Sequence, residues 1–529
     1  MVFFKKYIYT ALVSSAVLMV AGCGSGSGSK TPLQPTISPS ATPTPLPKAD
    51  PLFQTQWYLE NTGQTSGAEN GGMSGEDIHV VDVWPEFKGS HLNAVGILDI
   101  GVEAKHPDLE ENIDISKSYR YADGSNDPSP LNSRNSHGTC VAGIVAAKGW
   151  NGLGIRGVAP NARIVGLNVL SAPTEANLID ALSREGIAIS NNSWGAGGNG
   201  LNEFQTLVNT MELGCKKGRG GKGTIYLFAA GNSRNGINNS NTNMSDLTNN
   251  RYAIAVSAVD ANGKYASYSN YGSTVLVAGA GGEYGKTFPA IVSTDLTGLD
   301  KGWDTNETHY NVPGNENGDY TNLMNGTSAA CPTVTGVVAL MLDANPNLSW
   351  RDVRYILAAT ARKNDPENEM WTVNAAGFHI NYNYGFGMVD AFKAVTMSKT
   401  FEGLKEEIRV ESSVDVNRSI PNDGRTALVS TTTINRDIII EHVDIWITID
   451  NKIYGQIGDL EIKLISPAGT ESILAWSGVR TYGRYSNWRF GTVRHLDEKA
   501  YGKWKLSVKD ADGDSEYTLR KWKLKVYGH

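Results

Sequence analysis

The stretch NGTSAACP, residues 325–332, leads directly into an apolar run from Val334 to Leu342. This combination predicts a helix whose first turn holds Ser328. A hydroxyl group there lies at the positive end of the helix dipole, among backbone amides that have no intrahelical partner. Pro332 is compatible with this position, because few intrahelical N–H bonds form in the first turns of a helix. The same pattern is also common as a plain helix cap, so its meaning depends on residues elsewhere in the chain.

Three polar residues upstream give the stretch a chemical context. Asp99 ends a run that predicts a buried strand, His137 precedes an apolar helix-like run, and Asn232 follows another apolar strand. Each residue alone could be a turn former or a helix cap. Together with Ser328 they are the groups that acyl transfer by a serine requires: a histidine to take the hydroxyl proton, an aspartate to fix the imidazole tautomer, and an amide to bind the oxyanion.

Four blocks of sequence resemble the signature blocks of the subtilisin-like serine proteases (subtilases). They are Asp99 with HPD at 106–108, HGT at 137–139, Asn232, and GTS at 326–328. QWYL at 56–59, NSWG at 192–195 and the region after residue 404 are similar to the kexin/furin branch. The resemblance covers about residues 50 to 529 and implies a serine endopeptidase that acts through an acyl-enzyme. It assigns the nucleophile to Ser328, the general base to His137, the orienting acid to Asp99 and the oxyanion donor to Asn232.

Residues 50–398 alternate strand-like and helix-like runs, which predicts a buried parallel sheet with helices on both faces. In such sheets ligands bind at the carboxyl ends of the strands, where Asp99 and Asn232 are expected. The strand-like runs are 94–98, 162–170, 187–191, 224–229 and 253–257, and the helix-like runs are 138–148, 175–184, 202–213, 328–343 and 351–362.

From residue 404 to 529 the apolar residues alternate with polar ones, as in 443–449, 460–464, 504–508 and 522–526. This two-residue alternation of apolar and polar side chains predicts β-strands, and the turns at 422–424, 467–469 and 512–514 favour an antiparallel β-sandwich. The segments GDL at 458–460 and SPAGT at 466–470 resemble the P domain of kexin-type convertases, a jelly-roll-like sandwich that supports the stability of the catalytic domain. An unrelated carbohydrate-binding sandwich is the alternative.

The N-terminus predicts export. Residues 1–22 contain two lysines and an apolar run too short to span a membrane, and Cys23 ends a segment similar to the lipobox of bacterial lipoproteins. An acylated Cys23 would anchor the protein by lipid only, at the outer membrane of a Gram-negative cell because no aspartate follows it. An ordinary signal peptide with an incidental cysteine is the alternative.

Residues 23–49 are rich in Gly, Ser, Pro and Thr and are expected to form a disordered tether. This segment cannot serve as the folded propeptide that secreted subtilases usually carry. We therefore expect the enzyme to fold unaided or with a separately encoded helper or inhibitor.

The resemblance also identifies substrate-binding positions. It implies that the substrate lies as an added strand along Ser193, Trp194 and Gly195, which would otherwise be a plain strand-end turn. The acids that select basic residues in kexin-type enzymes are absent here: their positions hold Gly198 and Arg134, and Asp246 is a shifted match to a third. An arginine facing the P2 side chain would repel a basic residue. We therefore predict no strict dibasic requirement.

Calcium is the cofactor that the resemblance implies. A first site would use the side chains of Asp50, Asp108 and Asn151 with the carbonyl groups of Lys148, Leu153 and Ile155. Oxygen ligands of these kinds suit a hard cation, although the same residues could form a surface loop. A second site would use Asp123 and Asp127, whose loop could equally be a plain turn.

Composition limits the remaining possibilities. The 529 residues favour two or more domains, and a net charge of −7 with mixed signs shows no nucleic-acid-binding footprint. With Cys23 acylated, Cys140, Cys215 and Cys331 remain, an odd number that does not form a disulfide framework. Cys140 and Cys331 are predicted to be small buried hydrophobic residues.

Two other functions were weighed against a monomeric peptidase acting on proteins or peptides. An inactive subtilase shell that binds through the sandwich would not need all four catalytic residues. An α/β-hydrolase would have the chain order Ser, acid, His, whereas this chain has Asp, His, Ser.

Overall fold

The computed structural model describes residues 49–195, 200–234, 241–305, 307–451, 457–479, 481–513 and 515–529. Cys23, the export signal and most of the tether lie outside the described residues, and so does Gly198. The strands are β1 (Ala94–Asp99), β2 (Tyr119–Arg120), β3 (Ile164–Asn168), β4 (Ile187–Asn192), β5 (Ile225–Ala229), β6 (Ala253–Val259), β7 (Val275–Ala280), β8 (Ile291–Thr294), β9 (Tyr320–Met324), β10 (Thr372–Val373), β11 (His379–Ile380), β12 (Ile408–Ser419), β13 (Leu428–Ile434), β14 (Ile440–Asn451), β15 (Leu460–Ile465), β16 (Glu471–Ala475), β17 (Trp488–Thr492), β18 (Gly502–Asp510) and β19 (Tyr517–Gly528). The helices are α1 (His137–Ala146), α2 (Glu175–Ser183), α3 (Gln205–Lys217), α4 (Thr327–Ala344), α5 (Trp350–Thr360) and α6 (Ala391–Thr400).

A seven-stranded parallel sheet, in the order β2-β3-β1-β4-β5-β6-β7, forms the centre of the first part of the chain. Its long strands are apolar at nearly every position because both faces of the sheet are covered. In β1, Val95 and Ile97 pack into one hydrophobic cluster with α1, α4, α5 and α6, whereas Ala94 and Leu98 pack into another with α2 and α3. The sequence-based prediction of a three-layer α/β fold is confirmed.

Each of the five predicted strands and five predicted helices of this part corresponds to an observed element. The strand β7 and the helix α6 are not among the predicted elements. The strand is rich in Gly and Ala, and the apolar residues of the helix have only a weak helical periodicity. Helix α3 begins at Gln205 and not at Asn202, because Asn202 pairs with Ser245 in an isolated bridge. Tertiary pairing here overrides the local preference for a longer helix.

The second part of the chain consists of two four-stranded antiparallel sheets, β12-β19-β14-β17 and β13-β18-β15-β16. Alternate residues of these strands point between the sheets, and the core includes the fully buried indoles of Trp504 and Trp522. The predicted sandwich is therefore present. The α/β part ends with α6 and the sandwich begins with β12, and residues 47–529 together form one compact unit.

Among the described residues, α4 alone is long and apolar enough to cross a membrane. It lies in the centre of the fold, with nearly every side chain buried, which is the environment of a core helix.

Candidate active site

Asp99 and His137 lie together at the carboxyl edge of the sheet. Asp99 is the last residue of β1 and His137 is the first residue of α1. The His137 Nδ1 atom is 2.9 Å from Oδ1 and 3.0 Å from Oδ2 of Asp99. Burial alone would lower the pKa of His137, but the charge and the hydrogen bonds of Asp99 outweigh it and raise the pKa above its ordinary value. The pair thus holds a basic imidazole with its Nδ1 atom occupied.

Ser328 lies in the first turn of α4, which packs against α1. Gly326, before the helix, has a φ of 96°, a left-handed conformation that favours glycine. The Ser328 hydroxyl donates to the carbonyl oxygen of Ser193 at 3.0 Å, and the Ser193 hydroxyl donates to the carbonyl oxygen of Ser328 at 2.9 Å. Pro332 has no N–H to offer to that carbonyl group, so Ser193 replaces the missing intrahelical bond.

Asn232 is oriented by Thr327. Its Oδ1 atom accepts hydrogen bonds from the backbone N–H of Thr327 at 2.9 Å and from the Thr327 hydroxyl at 2.8 Å. Because a backbone N–H can only donate, Oδ1 must face Thr327 and the Nδ2 donor must face the other way. Asn232 lines the same cavity as Ser328, so its free donor and the nucleophile share one site.

That cavity, of about 220 Å³, lies beside Ser328. It is bounded by the ends of β4 and β5 and by a segment that we call the pocket wall (residues 241–249). The side chains that line it in the described part of the chain are polar and uncharged or apolar. They belong to Ser193, Trp194, Asn202, Ala229, Ala230, Asn232, Ser233, Asn241, Thr242, Met244, Ser245, Leu247, Thr248, Asn270, Thr327 and Ser328.

Of the predicted substrate-binding residues, Ser193, Trp194 and Gly195 border this cavity. Arg134 is exposed, and its guanidinium group donates to the carbonyl oxygen of Asp304 at 3.1 Å. Asp246 requires a correction: it belongs to the pocket wall, but its side chain is buried and its carboxylate is 2.9 Å from the guanidinium group of Arg489. The arginine from the sandwich satisfies this carboxylate, so Asp246 is not a substrate-binding residue in this structure.

The predicted first calcium site includes the buried carboxyl group of Asp108. Burial raises the pKa of Asp108 to about 7, although hydrogen bonds from Asn151, Ile155 and Tyr320 oppose the shift. The carbonyl oxygens of Lys148, Leu153 and Ile155 accept no hydrogen bond from the described residues.

Asp50 differs from Asp108, because its Oδ2 atom is 2.5 Å from Nε of Arg156. The buried carboxyl group of Asp108 and a set of carbonyl oxygens that accept no hydrogen bond from the described residues nevertheless remain at this loop. This donor set fits a hard cation.

The predicted second calcium site does not fit a metal. Asp123 and Asp127 both face the guanidinium group of Arg120, with N–O distances of 2.8 Å and 3.8 Å. The bonds from Arg120 lower the pKa of Asp123 to about 2. An arginine already provides the positive charge there, and the carboxylates are exposed. The loop is therefore a turn held by an ion pair, and the calcium prediction for these two residues is not supported.

Cys140, Cys215 and Cys331 are free and buried. Burial raises the pKa of the Cys331 thiol to about 12 and raises that of Cys140 well above its usual value. Both thiols are thus kept in the neutral form, as expected for small hydrophobic residues and not for nucleophiles.

A family model described as the subtilase family matches residues 93–387. The chain belongs to the subtilase family. A second family model, the proprotein convertase P-domain, matches residues 440–526 of this subtilase, which identifies the sandwich as a P domain. The architecture is that of a kexin-like serine endopeptidase.

Curated relatives match most of this subtilase, across both the α/β part and the P domain. The Aeromonas extracellular serine protease of Aeromonas sobria is 32% identical, over 97% of this chain and 92% of the relative. The kexin of Saccharomyces cerevisiae is 33% identical, over 90% of this chain but only 56% of the relative. Human neuroendocrine convertase 2 is 31% identical, over 90% of this chain and 74% of the relative.

Solved structures are similar to this chain over most of its length. The serine protease of Aeromonas sobria superposes with a TM-score of 0.82 at 29% identity, over 93% of this chain and 97% of that one. The same protease in complex with its chaperone gives a TM-score of 0.83 at 28% identity.

Some residues of this site are invisible to sequence reasoning. Thr327, which orients Asn232, belongs to the GTS block, but the block does not indicate this role. Arg489, which binds Asp246, gives no signal at all, because it is 243 residues away in the chain.

Proposed function

We propose that Asp99, His137, Ser328 and Asn232 carry out peptide-bond hydrolysis in this subtilase. The observation that supports the proposal is the hydrogen-bonded Asp99–His137 pair at the sheet edge, next to a helix whose first turn presents Ser328. Ser328 attacks the peptide carbonyl carbon, and His137 takes the hydroxyl proton and later gives it to the leaving amine. Water then hydrolyses the acyl-enzyme by the same route.

The Ser328 hydroxyl must first leave the carbonyl oxygen of Ser193, to which it donates in the structure. A rotation about the Cα–Cβ bond of Ser328 redirects the hydroxyl toward the imidazole. Catalytic hydrogen bonds of this kind are often formed only in the substrate complex. A substrate strand lying along Ser193, Trp194 and Gly195 would place its carbonyl group at this point.

Asp99 and Asn232 stabilise the charges that develop during the reaction. The carboxylate of Asp99 faces the imidazolium that forms when His137 takes the proton. The Nδ2 donor of Asn232, set by Thr327, and the backbone N–H of Ser328 receive the oxyanion. Neither group needs to reorganise during the step, because both are fixed before the substrate binds.

The cavity next to Ser328 favours an uncharged P1 side chain. Its described lining has no carboxylate. The neighbouring residues 196–199 and 235–240 have no acidic residue in sequence. A lysine or arginine side chain would lose its hydration there without gaining a partner. This supports the expectation that the kexin-like architecture here does not carry dibasic specificity.

The proposal includes one calcium ion, held by Asp108 and Asn151 together with the carbonyl groups of Lys148, Leu153 and Ile155, with Asp50 beside them. When bound, the ion supplies positive charge to a buried loop and takes no part in the reaction. The loop follows α1 directly, so a fixed loop helps to fix the C-terminal end of the helix that carries His137.

Export, lipid anchoring through Cys23 and a monomeric state also belong to the proposal. The relative from Aeromonas sobria is named extracellular, and its solved complex contains a chaperone. A separately encoded folding helper is therefore part of the proposal. Expression of residues 50–529 alone, followed by measurement of active enzyme, tests this: high yields without a helper would remove the need for one.

Labelling with a fluorophosphonate probe tests the catalytic roles. The wild-type protein should be labelled and should cleave casein, and Ser328→Ala should lose both properties. Ser116→Ala, at an exposed loop serine, is the matched control and should keep both. A folded wild-type protein that neither reacts with the probe nor cleaves casein would instead be an inactive shell that binds through its P domain.

A further inference from the structure

The pocket wall (residues 241–249) belongs to the active site and to the P domain at the same time. Met244 lines the cavity beside Ser328, yet its side chain packs into the hydrophobic core of the sandwich and is only 4% exposed. The hydroxyl of Tyr485, a core residue of the sandwich, is 3.9 Å from the Met244 sulfur. One side of the substrate cavity is therefore built on the core of the C-terminal domain.

Strand β17 runs alongside the pocket wall and binds its backbone. The Trp488 indole N–H donates to the carbonyl oxygen of Asn243 at 3.1 Å, and the N–H of Gly491 donates to Oδ1 of Asn243 at 2.8 Å. A Cβ atom on Gly491 would lie 2.3 Å from the carbonyl oxygen of Asn249, so the strand can approach this closely only as glycine. From β16, the carbonyl oxygen of Leu474 accepts a hydrogen bond from Asn241 at 2.8 Å.

A buried ion pair completes this contact. Nη2 of Arg489 is 2.9 Å from Oδ1 of Asp246 and 2.9 Å from Oδ1 of Asn249, and both charged side chains are about 8% exposed. The other carboxylate oxygen of Asp246 accepts the N–H of Phe204, which precedes α3. These bonds occupy both carboxylate oxygens of Asp246, and Asp246 is not among the residues that line the cavity. The described lining therefore stays uncharged although the pocket wall contains an aspartate.

We propose that the P domain is a specificity-determining part of this protease, with Arg489 as the positioning residue. Arg489 fixes the pocket wall against β17 and holds Asp246 out of the cavity, so that the site accepts an uncharged P1 side chain. The inference rests on the proposed peptidase function and deepens it. Without the guanidinium group, Asp246 is a buried carboxylate with no counter-charge. Protonation of the carboxylate, movement of the pocket wall or rotation of the carboxylate toward solvent in the cavity would relieve this, and the last two change the pocket.

The test compares two arginine variants of the same interface. Arg489→Met removes the contact to the pocket wall. Arg494→Met is the matched control, because Arg494 is also a buried P-domain arginine that binds the α/β part, at Thr372 Oγ1 at 2.6 Å, but it does not touch the pocket wall. The substrates are acyl-tetrapeptide coumarylamides that differ only at P1, with leucine, asparagine or arginine. A small fluorophosphonate without a P1 side chain reports on the triad alone.

In Arg489→Met, the ratio of kcat/KM for leucine to that for arginine should fall at least about tenfold, mainly through KM, while the rate of fluorophosphonate labelling stays within about twofold of wild type. Arg494→Met should keep the wild-type ratio. The double variant Asp246→Asn/Arg489→Met should recover most of the wild-type ratio, because it removes the uncompensated carboxylate. An unchanged ratio in folded Arg489→Met, or an equal loss in both arginine variants, would overturn the inference.

Hydrogen exchange separates this inference from the peptidase proposal, since it does not depend on activity. Peptides covering residues 241–251 should exchange faster in Arg489→Met and not in Arg494→Met. If Arg489→Met does not fold, Trp488→Phe removes the indole N–H donor to Asn243, together with part of the buried ring, and should shift the P1 ratio and the exchange in the same direction. No change in either would overturn the inference. Failure of the wild-type protein to cleave any substrate, with the exchange result as expected, would count against the peptidase proposal alone.

Discussion

Ser193 and Ser328 are joined by two reciprocal hydrogen bonds, each hydroxyl donating to the backbone carbonyl oxygen of the other residue, at 2.9 Å and 3.0 Å. One of these bonds replaces the intrahelical bond that Pro332 cannot form. The other keeps the Ser328 hydroxyl bound to a backbone carbonyl oxygen, and we expect substrate binding to release it. The segment that follows β4 and the helix that carries Ser328 are thereby held together.

Ser193→Ala should lower the free energy of unfolding by about 1–3 kcal/mol, because it leaves the carbonyl oxygen of Ser328 buried without a donor. Pro332→Ala supplies a backbone N–H at the right place in the helix. Chemical denaturation of the two single variants and the double variant should therefore show that Ser193→Ala lowers the free energy of unfolding by less when residue 332 is alanine. Equal costs in both backgrounds would mean that the proline does not create the need for Ser193.

Asn232→Leu removes the Nδ2 donor at nearly constant volume. We expect kcat to fall by about 10²–10³-fold with little change in KM, which is the loss already known for the oxyanion-hole asparagine of subtilisin. Steady-state kinetics on a coumarylamide substrate measures it. Thr327→Ser keeps the hydroxyl and the N–H that orient Asn232 and should stay within a few-fold of wild type. A proportional rise in KM for Asn232→Leu would point to a role in ground-state binding.

The acidic limb of the pH–kcat/KM profile should lie above 6.5, the ordinary pKa of histidine, because Asp99 raises the pKa of His137 and the base must be neutral to accept a proton. Activity therefore rises as pH passes upward through the raised pKa. Asp99→Asn removes the charge and should move this limb to lower pH in the residual activity. A limb at or below 6.5 in the wild-type protein would contradict the electrostatic coupling of the pair.

The same shift has the opposite sign for stability. A raised folded-state pKa means that protonated His137 is favoured in the folded protein, so its stabilising contribution is complete below the unfolded pKa and is lost as pH rises through the folded pKa. Catalysis and stability thus draw on different protonation states of one imidazole.

Removal of calcium should destabilise the protein without changing the triad. At a free concentration one hundred times Kd, a bound ion stabilises by about 2.7 kcal/mol, so the melting temperature should fall in EDTA and recover with added Ca²⁺. Asp108→Asn should abolish the difference between the two conditions. Asp127→Asn, in the loop held by Arg120, should leave the difference intact. If Asp127→Asn abolished the difference in melting temperature and Asp108→Asn kept it, calcium would bind at the loop of Asp127 and not at Asp108.

A carboxylate placed inside the cavity should create a preference for basic P1 side chains. Ser245 lines the cavity, and Ser245→Asp should raise kcat/KM for P1 arginine relative to P1 leucine by at least about tenfold. Ser245→Asn has nearly the same volume and no charge, and it should keep the wild-type ratio. A wild-type protein that already prefers arginine over leucine would show that the uncharged lining does not set the choice.

The sequence could predict the groups whose places follow from local structure. Asp99 and Asn232 end strands, and His137 and Ser328 begin helices, so the parallel sheet brings all four to one edge. Asp246 could not be interpreted in this way, because its partner is an arginine from another domain. Asp123 and Asp127 likewise form a pattern that suits a metal until Arg120 is seen beside them. Local patterns place backbone elements, whereas the use of a carboxylate depends on the charge that the tertiary fold sets against it.

Strand order in the sandwich determines when the cavity can be completed. Strand β17, which supports the pocket wall, pairs with β14, and β14 in turn pairs with β19, which also pairs with β12. During translation, the sheet that carries β17 cannot close until β19 has left the ribosome. A nascent chain in which Asp99, His137 and Ser328 are already in place would thus still have an incomplete substrate pocket. We therefore expect the pocket that selects the peptide to be completed after the catalytic residues are in position.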